Sequence, residues 1–253
     1  VLASPGRHRV AAGQLDQRVP VQSHDEIGQL AASFNQMADA LAEDRQLRRT
    51  MIADIAHELR TPLSVIQANL EAMLDGVLPT SSEEIASLRD EAALLKRLID
   101  DLRLLSLAEA GQLKLERTPT NLDTLIESVV DHAHPQAEAN HIELNVEIAT
   151  NLPVVNADAD RIRQVMGNLL SNALRHTPGG GQVTVRATLS TADRSSIRVN
   201  VIDTGSGIAA EDLPHVFDRF YRADKSRSRS SGGSGIGLAI VKQLVEAHGG
   251  VVG

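Results

Sequence analysis

The chain has 253 residues, with 25 Lys and Arg against 33 Asp and Glu, for a formal net charge of −8. That balance argues against a general nucleic-acid surface, and an aromatic content of 2% leaves almost no stacking platforms for single strands. With no Cys, disulfides, zinc-thiolate sites and a cysteine nucleophile are excluded, and the length fits two compact units or one with helical appendages.

No apolar run approaches the ~18–20 residues of a membrane span, and no signal-peptide pattern opens the chain. Both ends, Val1-Leu2-Ala3-Ser4-Pro5 and His248-Gly249-Gly250-Val251-Val252-Gly253, read as cut from something longer. Residues 1–25, with Pro5, Gly6, Gly13 and Pro20, read as loop. A helical stripe follows at Ile27, Leu30, Phe34, Met37 and Leu41, spaced as a coiled-coil seam. The seam resumes at Ile52 and runs through Ile55, Leu59, Leu63, Ile66, Leu70, Met73 and Val77. The step from Leu41 to Ile52 is one heptad plus four, a stutter, and the charged stretch within it reads either as an ordinary solvated helix face or as a signalling joint between two helical modules. After a turn at 76–82, Ser81 and Glu84 form a capping box for a helix striped by Ile85, Leu88, Ala92, Leu95, Ile99, Leu102 and Leu105. Two such helices cannot bury both stripes alone, whereas a dimeric four-helix bundle would.

Beyond Gly111 the pattern becomes mixed α/β. Strands are predicted at 113–118, 142–149, 182–190 and 196–203, and helices from Asn121 to about Asn140, from Asp158 to about His176, and from about Gly235 to His248. The Ser/Arg/Gly-rich stretch 224–234 reads as a flexible loop.

Several motifs carry chemistry. In His57-Glu58-Leu59-Arg60-Thr61-Pro62, a rotation of about 100° per residue puts His57 and Thr61 on the face opposite the Leu59 seam. A neutral imidazole there offers a lone pair to phosphorus, Glu58 stands beside it as an acceptor, and Pro62 removes a helix hydrogen bond. Farther on, Asn168 and Asn172 share a helix face and suit Mg²⁺ whose charge phosphates already balance, with Arg175 and His176 following within reach of phosphate. Asp203-Thr204-Gly205-Ser206-Gly207 ends a strand in a glycine turn where a carboxylate can accept from an exocyclic amine. Gly233-Ser234-Gly235-Ile236-Gly237-Leu238 opens the last helix, whose bare N–H groups bind anions, yet it is neither a Walker A loop nor a Rossmann fingerprint.

The histidine run resembles the H-box of the HisKA class of sensor histidine kinases. The order of Asn pair, Asp-x-Gly-x-Gly, Phe217-Asp218-Arg219-Phe220 and Gly-x-Gly-x-Gly is similar to the N, G1, F and G2 boxes of the GHKL ATP-binding fold. Asp25-Glu26-Ile27-Gly28 and Phe34-Asn35-Gln36-Met37 resemble the second half of a HAMP linker. The resemblance implies a helical hairpin forming a dimeric four-helix bundle, then a GHKL (Bergerat-type) two-layer α/β sandwich. The implied limits are 1–43 for a partial HAMP-like linker, 44–110 for dimerisation and phosphotransfer, and 111–253 for a C-terminally shortened ATP-binding domain.

By the same resemblance His57 is the phosphoacceptor, Glu58 its acid–base partner, and Thr61 the residue that orients water for dephosphorylating a response regulator. Asn172, assisted by Asn168, holds Mg²⁺; Asp203 reads adenine beside Gly205 and Gly207. Gly233, Gly235, Gly237 and Leu238 shape a phosphate lid anchored by Phe217 and Phe220. Ser64, Ala68, Glu71, Ala72 and Asp75 continue the His57 face and are expected to meet the response regulator's receiver domain. The expected reaction is ATP with His57 giving phosphohistidine, in the cytoplasmic portion of a bacterial membrane protein whose span lies upstream. Two rivals are a GHKL ATPase acting as a conformational clamp and an adaptor without phosphotransfer. Asn168, where such ATPases carry an acid, and His57 speak against the first, and the intact boxes against the second.

Overall fold

The computed structural model describes residues 18–21, 25–190, 196–222 and 235–253. The early loop signals Pro5, Gly6 and Gly13, the stretch 224–234 and the lid glycine Gly233 lie outside the described residues. The chain divides into two compact units, Val1–Glu71 and Ala72–Gly253.

The first unit is dominated by α1, one helix of 49 residues from Glu26 to Leu74 that continues through the second unit's first residues. The charged joint between the two seams is helical throughout, because Glu43 to Arg49 contains good helix formers and no Gly or Pro. A stutter shifts the phase of a stripe without breaking backbone hydrogen bonds. At the start of α1, Asp25 Oδ1 accepts from the N–H groups of Ile27 and Gly28, both at 3.1 Å. Asn35 fastens the preceding extended segment: Val19 N–H donates to Asn35 Oδ1 and Asn35 Nδ2 donates to the Val19 carbonyl, each at 2.8 Å. Arg18 pairs with Asp39 one turn farther on. The helix ends before the expected last seam residue, so Val77 sits in the following turn and is 77% exposed. Gly76, at φ +69°, provides the left-handed turn that stops the helix.

In the second unit α2 spans Ser82–Glu109, and Ser81 Oγ accepts from the Glu84 N–H at 3.2 Å, as the capping box requires. Its burial does not follow the single stripe read from sequence. Of the stripe, Leu105 is buried but Ile85 and Ile99 are exposed, while Leu98, Asp101 and Leu104, outside it, are buried. The last three turns of α2 therefore present a second face, set by packing on the last helix of the chain rather than by the bundle seam. For that reason the compact units do not follow the limits of the sequence motifs.

The remainder forms β1 (Thr118–Thr120), α3 (Leu122–Ala139), β2 (Glu143–Ile148), β3 (Val155–Ala157), α4 (Ala159–His176), β4 (Gln182–Leu189), β5 (Ile197–Asp203), a 3₁₀ turn at Leu213–His215 and α5 (Gly237–Ala247). The strand expected over 113–118 is confined to its last residue and continues to Thr120, where it pairs antiparallel with β3, an element without a sequence signal strong enough to identify it. The main sheet has order β2-β4-β5, with β2 parallel and β5 antiparallel to β4. Helices α3 and α4 close the core around Ile126, Val130, Met166, Leu170, Val183, Val185 and Ala187. This core is aliphatic, as the near absence of aromatics demands.

Asp158 and His248 tie the linker to both ends of this unit. Asp158 caps α4 by accepting from Arg161 N–H at 3.1 Å, and accepts from Glu116 N–H in the linker at 2.9 Å. Burial pushes its carboxyl up, but these backbone donors and the Arg161 charge outweigh burial and hold it below the usual carboxylate range. His248 Nε2 accepts from the Asp158 N–H at 3.1 Å while Nδ1 donates to the Leu244 carbonyl at 2.7 Å. Arg117 adds a bond to the Ala247 carbonyl at 2.7 Å. Replacing Asp158 with Ala should cost about 1–2 kcal/mol at neutral pH by urea unfolding. A depressed folded-state pKa contributes stability above the unfolded value of 3.8 that is lost as pH falls through the folded one, so the wild-type advantage should vanish in strong acid.

Candidate functional site: a phosphoacceptor face and a nucleotide cradle

On α1, His57 and Thr61 are both exposed and Leu59 is half-buried, as the helical phase requires. Thr61 Oγ1 donates to the His57 carbonyl at 3.3 Å, so its side chain lies back along the helix toward the histidine. Pro62, one residue on, is buried within an unbroken helix. Glu58, next to His57 in the chain, is half-buried. Ser64, Ala68 and Glu71 extend the exposed face, and Ala72 is half-buried. Asp75 lies beyond the end of α1, where a helical angle count no longer applies.

The second site is built by α4. One face enters the core through Val165, Met166, Leu170, Ala173 and Leu174. The other presents Asn168 and Asn172, half-buried and one turn apart. Asn168 Nδ2 donates to the Gly237 carbonyl at 3.2 Å, which holds α4 against the start of α5 and leaves the amide oxygen available. Position 237 is close-packed on this side chain, since a Cβ there would make ordinary contact with Asn168 Cγ at 3.7 Å.

At the far end of α4 the strand-to-glycine turn is pressed against His176. Gly205 N–H donates to Asp203 Oδ1 at 2.9 Å, leaving the second carboxylate oxygen of this exposed side chain for a ligand. A Cβ on Gly205 would meet the His176 carbonyl oxygen at 2.5 Å, a distance no side chain tolerates. Gly207 turns at φ +71°. Thr204 Oγ1 accepts from Gln182 N–H at 2.9 Å and locks the turn to β4.

The two segments flanking residues 223–234 meet at a neck. Phe220 N–H donates to the Gly235 carbonyl at 2.9 Å; Phe220 has φ +58° and Gly235 φ +67°. A Cβ on Gly235 would lie 2.9 Å from the Phe220 backbone. Phe217 and Phe220 are half-buried, and Tyr221 donates its hydroxyl proton to Asp212 at 2.6 Å, which steadies the approach to the neck. Leu238 is half-buried in the first turn of α5.

Charge completes the cradle. Burial and the like charge of Arg222 push Arg175 below the usual guanidinium range. Two cations held this close suit a polyanion. Arg222 was not singled out from sequence; the only signal was its position two residues after Phe220. Together, amide oxygens, bare glycine backbone and paired arginines fit a magnesium nucleotide: Asn172 and Asn168 would hold the metal, and Asp203 the base.

Three family descriptions match in order: a HAMP domain over residues 8–43, a His Kinase A (phospho-acceptor) domain over 47–111, and a Histidine kinase-, DNA gyrase B- and HSP90-like ATPase over 157–253. The chain belongs to the sensor histidine kinases. It is 40% identical over 245 residues to the signal transduction histidine-protein kinase BaeS of Escherichia coli K12, covering 97% of this chain and 52% of that one. The chain thus spans about half the length of that curated relative. Among solved structures it is similar to the Acinetobacter baumannii histidine kinase AdeS, with TM-score 0.62, 28% identity, and coverage of 76% of this chain and 86% of that one. It is also similar to full-length ShkA in complex with AMPPNP, with TM-score 0.56, 28% identity, and coverage of 79% and 41%. The neck is constrained twice over, by the positive φ of Gly235 and by the Phe220 backbone 2.9 Å from where its Cβ would stand. Gly235→Ala should lower affinity for a fluorescent ATP analogue by at least about tenfold while leaving the thermal transition of the core largely in place.

Proposed function

We propose that this chain transfers the γ-phosphoryl group of ATP to His57 and then to an aspartate of a response-regulator receiver domain, as a two-component sensor. The observation that supports this most directly is an exposed histidine with a threonine one turn on, in a chain that also carries the Asn168–Asn172 face and its glycine cradle. In the first step an imidazole nitrogen bonds to phosphorus and the bond to the bridging oxygen breaks, releasing ADP. The proton lost from the other ring nitrogen passes to Glu58. Bound Mg²⁺, held by Asn172 with Asn168, would neutralise phosphate charge. Arg175 and Arg222 orient the phosphates, Asp203 selects the base, and the Gly235 neck closes the cradle.

Thr61 is assigned to orient water for the reverse, dephosphorylating reaction, and Ser64, Ala68 and Glu71 to contact the receiver. The exposed Ile52, Leu63 and Leu70 of α1, with Ile85 and Ile99 of α2, form the apolar stripes that a homodimeric four-helix bundle would cover. The domain limits are 1–43, 44–110 and 111–253, and the protein is attached to a membrane, a reading that the HAMP match over residues 8–43 supports.

With γ-labelled ATP and Mg²⁺, the protein should acquire acid-labile, alkali-stable label. His57→Gln should abolish it, and Asn172→Ala should lower its rate by at least about 100-fold. Nucleotide turnover without label would favour a conformational ATPase instead. Exchanging Ser64, Ala68 and Glu71 for the residues of another kinase should redirect phosphotransfer to that kinase's receiver; unchanged partner choice would remove these residues from the recognition surface.

A further inference from the structure

Outside the nucleotide cradle and apart from the helix cap Asp158, one buried carboxylate among the described residues has no part in the proposed chemistry. Asp101, on the second face of α2, is 9% exposed although its helix neighbours Asp100 and Ile99 are open to solvent. It accepts from Gln164 Nε2 on α4 at 3.2 Å. Gln164 is itself oriented by Arg161, whose Nη1 donates to Gln164 Oε1 at 3.1 Å. Gln164 stands one helical turn before Asn168 and two before Asn172, so α2 touches the same helix that carries the proposed metal ligands. Around this contact Leu98, Leu104 and Leu105 are buried and α2 packs against α5. Two turns farther along α2, Glu109 pairs with Arg219 in the segment leading to the Phe220 neck.

We infer that Asp101 and Gln164 form a proton-sensitive latch that holds the nucleotide-binding part on the C-terminal turns of α2. The inference concerns how this part is carried rather than the reaction it performs, and its test does not require kinase activity.

The physical case rests on which ionisation state the contact accepts. A carboxylate enclosed by leucines with one amide donor is poorly solvated, and closing the contact over a neutral acid is easier than over an anion. The charged groups around it do not remove that cost. On α2, Arg97 favours the anion and Asp100 opposes it. On α4, Arg161 is engaged with Gln164, and Asp160 pairs with Arg163. On α5 the charged side chains are Lys242 and Glu246. Burial wins and raises Asp101 to about 6 from 3.8, against the pull of Arg97 and the Gln164 hydrogen bond. A group whose value is higher in the closed state takes up a proton on closing, so closure strengthens as pH falls below about 6. Between pH 7.5 and pH 5 the closing constant should rise about tenfold. The Glu109–Arg219 pair supplies a second fastening between α2 and this part.

The chain has no Cys, so dyes can be placed cleanly at Ser87→Cys on α2 and Glu138→Cys on α3, both exposed sites. Single-molecule energy transfer on this full chain, diluted with unlabelled chain, reads the closed population. In the wild type that population should grow on going from pH 7.5 to pH 5. Asp101→Asn, permanently neutral, should be closed to a similar extent at both. Gln164→Glu, which sets a second carboxylate against the first, should move the response to higher pH. Glu109→Gln should reduce closure at every pH and leave the response in place. A wild-type population that ignores pH, or an Asp101→Asn profile that coincides with the wild type, would overturn the latch.

Discussion

Everything at the nucleotide cradle depends on α4 being wanted on both sides. One face must be apolar enough to seal an aliphatic core, and the other must present amide oxygens at a surface that stays open. An amphipathic helix meets both demands only if a neighbour fixes its rotation. Here that neighbour is α5, gripped where Asn168 donates to the Gly237 carbonyl. The same bond settles which end of the Asn168 amide is left for a ligand.

The remaining boxes are joined through α4 in turn. Its last residue, His176, abuts Gly205, so the carboxylate of Asp203 is presented at a set distance from the Asn face. Its first turn is capped by Asp158, which also holds the linker at Glu116 and touches His248 after α5. These contacts fasten both ends of α4, the N-terminal one to the segment that connects this unit with α2.

Much of this was legible because its signals are local. Helix phase alone exposed His57 and Thr61; a capping box marked the start of α2; alternating residues gave β2, β4 and β5 within a residue or two. Other features were not legible, for reasons of distance in the chain. β3 is three residues long and exists because β1 pairs with it. The strand expected over 113–118 gave way because the linker spends its backbone donors on Asp158 instead of on a ladder. Arg222 carries no periodicity and acquires meaning only beside Arg175.

The amino-acid sequence by itself determined the chemistry: a histidine on a free helix face, an asparagine pair one turn apart, and glycines where backbone must come close. Those follow from spacing and from side-chain inventory, which need no knowledge of what lies across the fold. Only tertiary structure decided which face of α2 is buried. Ile85, Leu88, Ala92, Leu95, Ile99, Leu102 and Leu105 spell one stripe, yet only Leu105 of these is fully enclosed, together with Leu98, Asp101 and Leu104 beside it. Sequence periodicity records that a helix has apolar faces. Which partner covers each face, and whether an acid such as Asp101 is shut in with it, is set by the residues of α4 and α5 that arrive from 60 or more positions away.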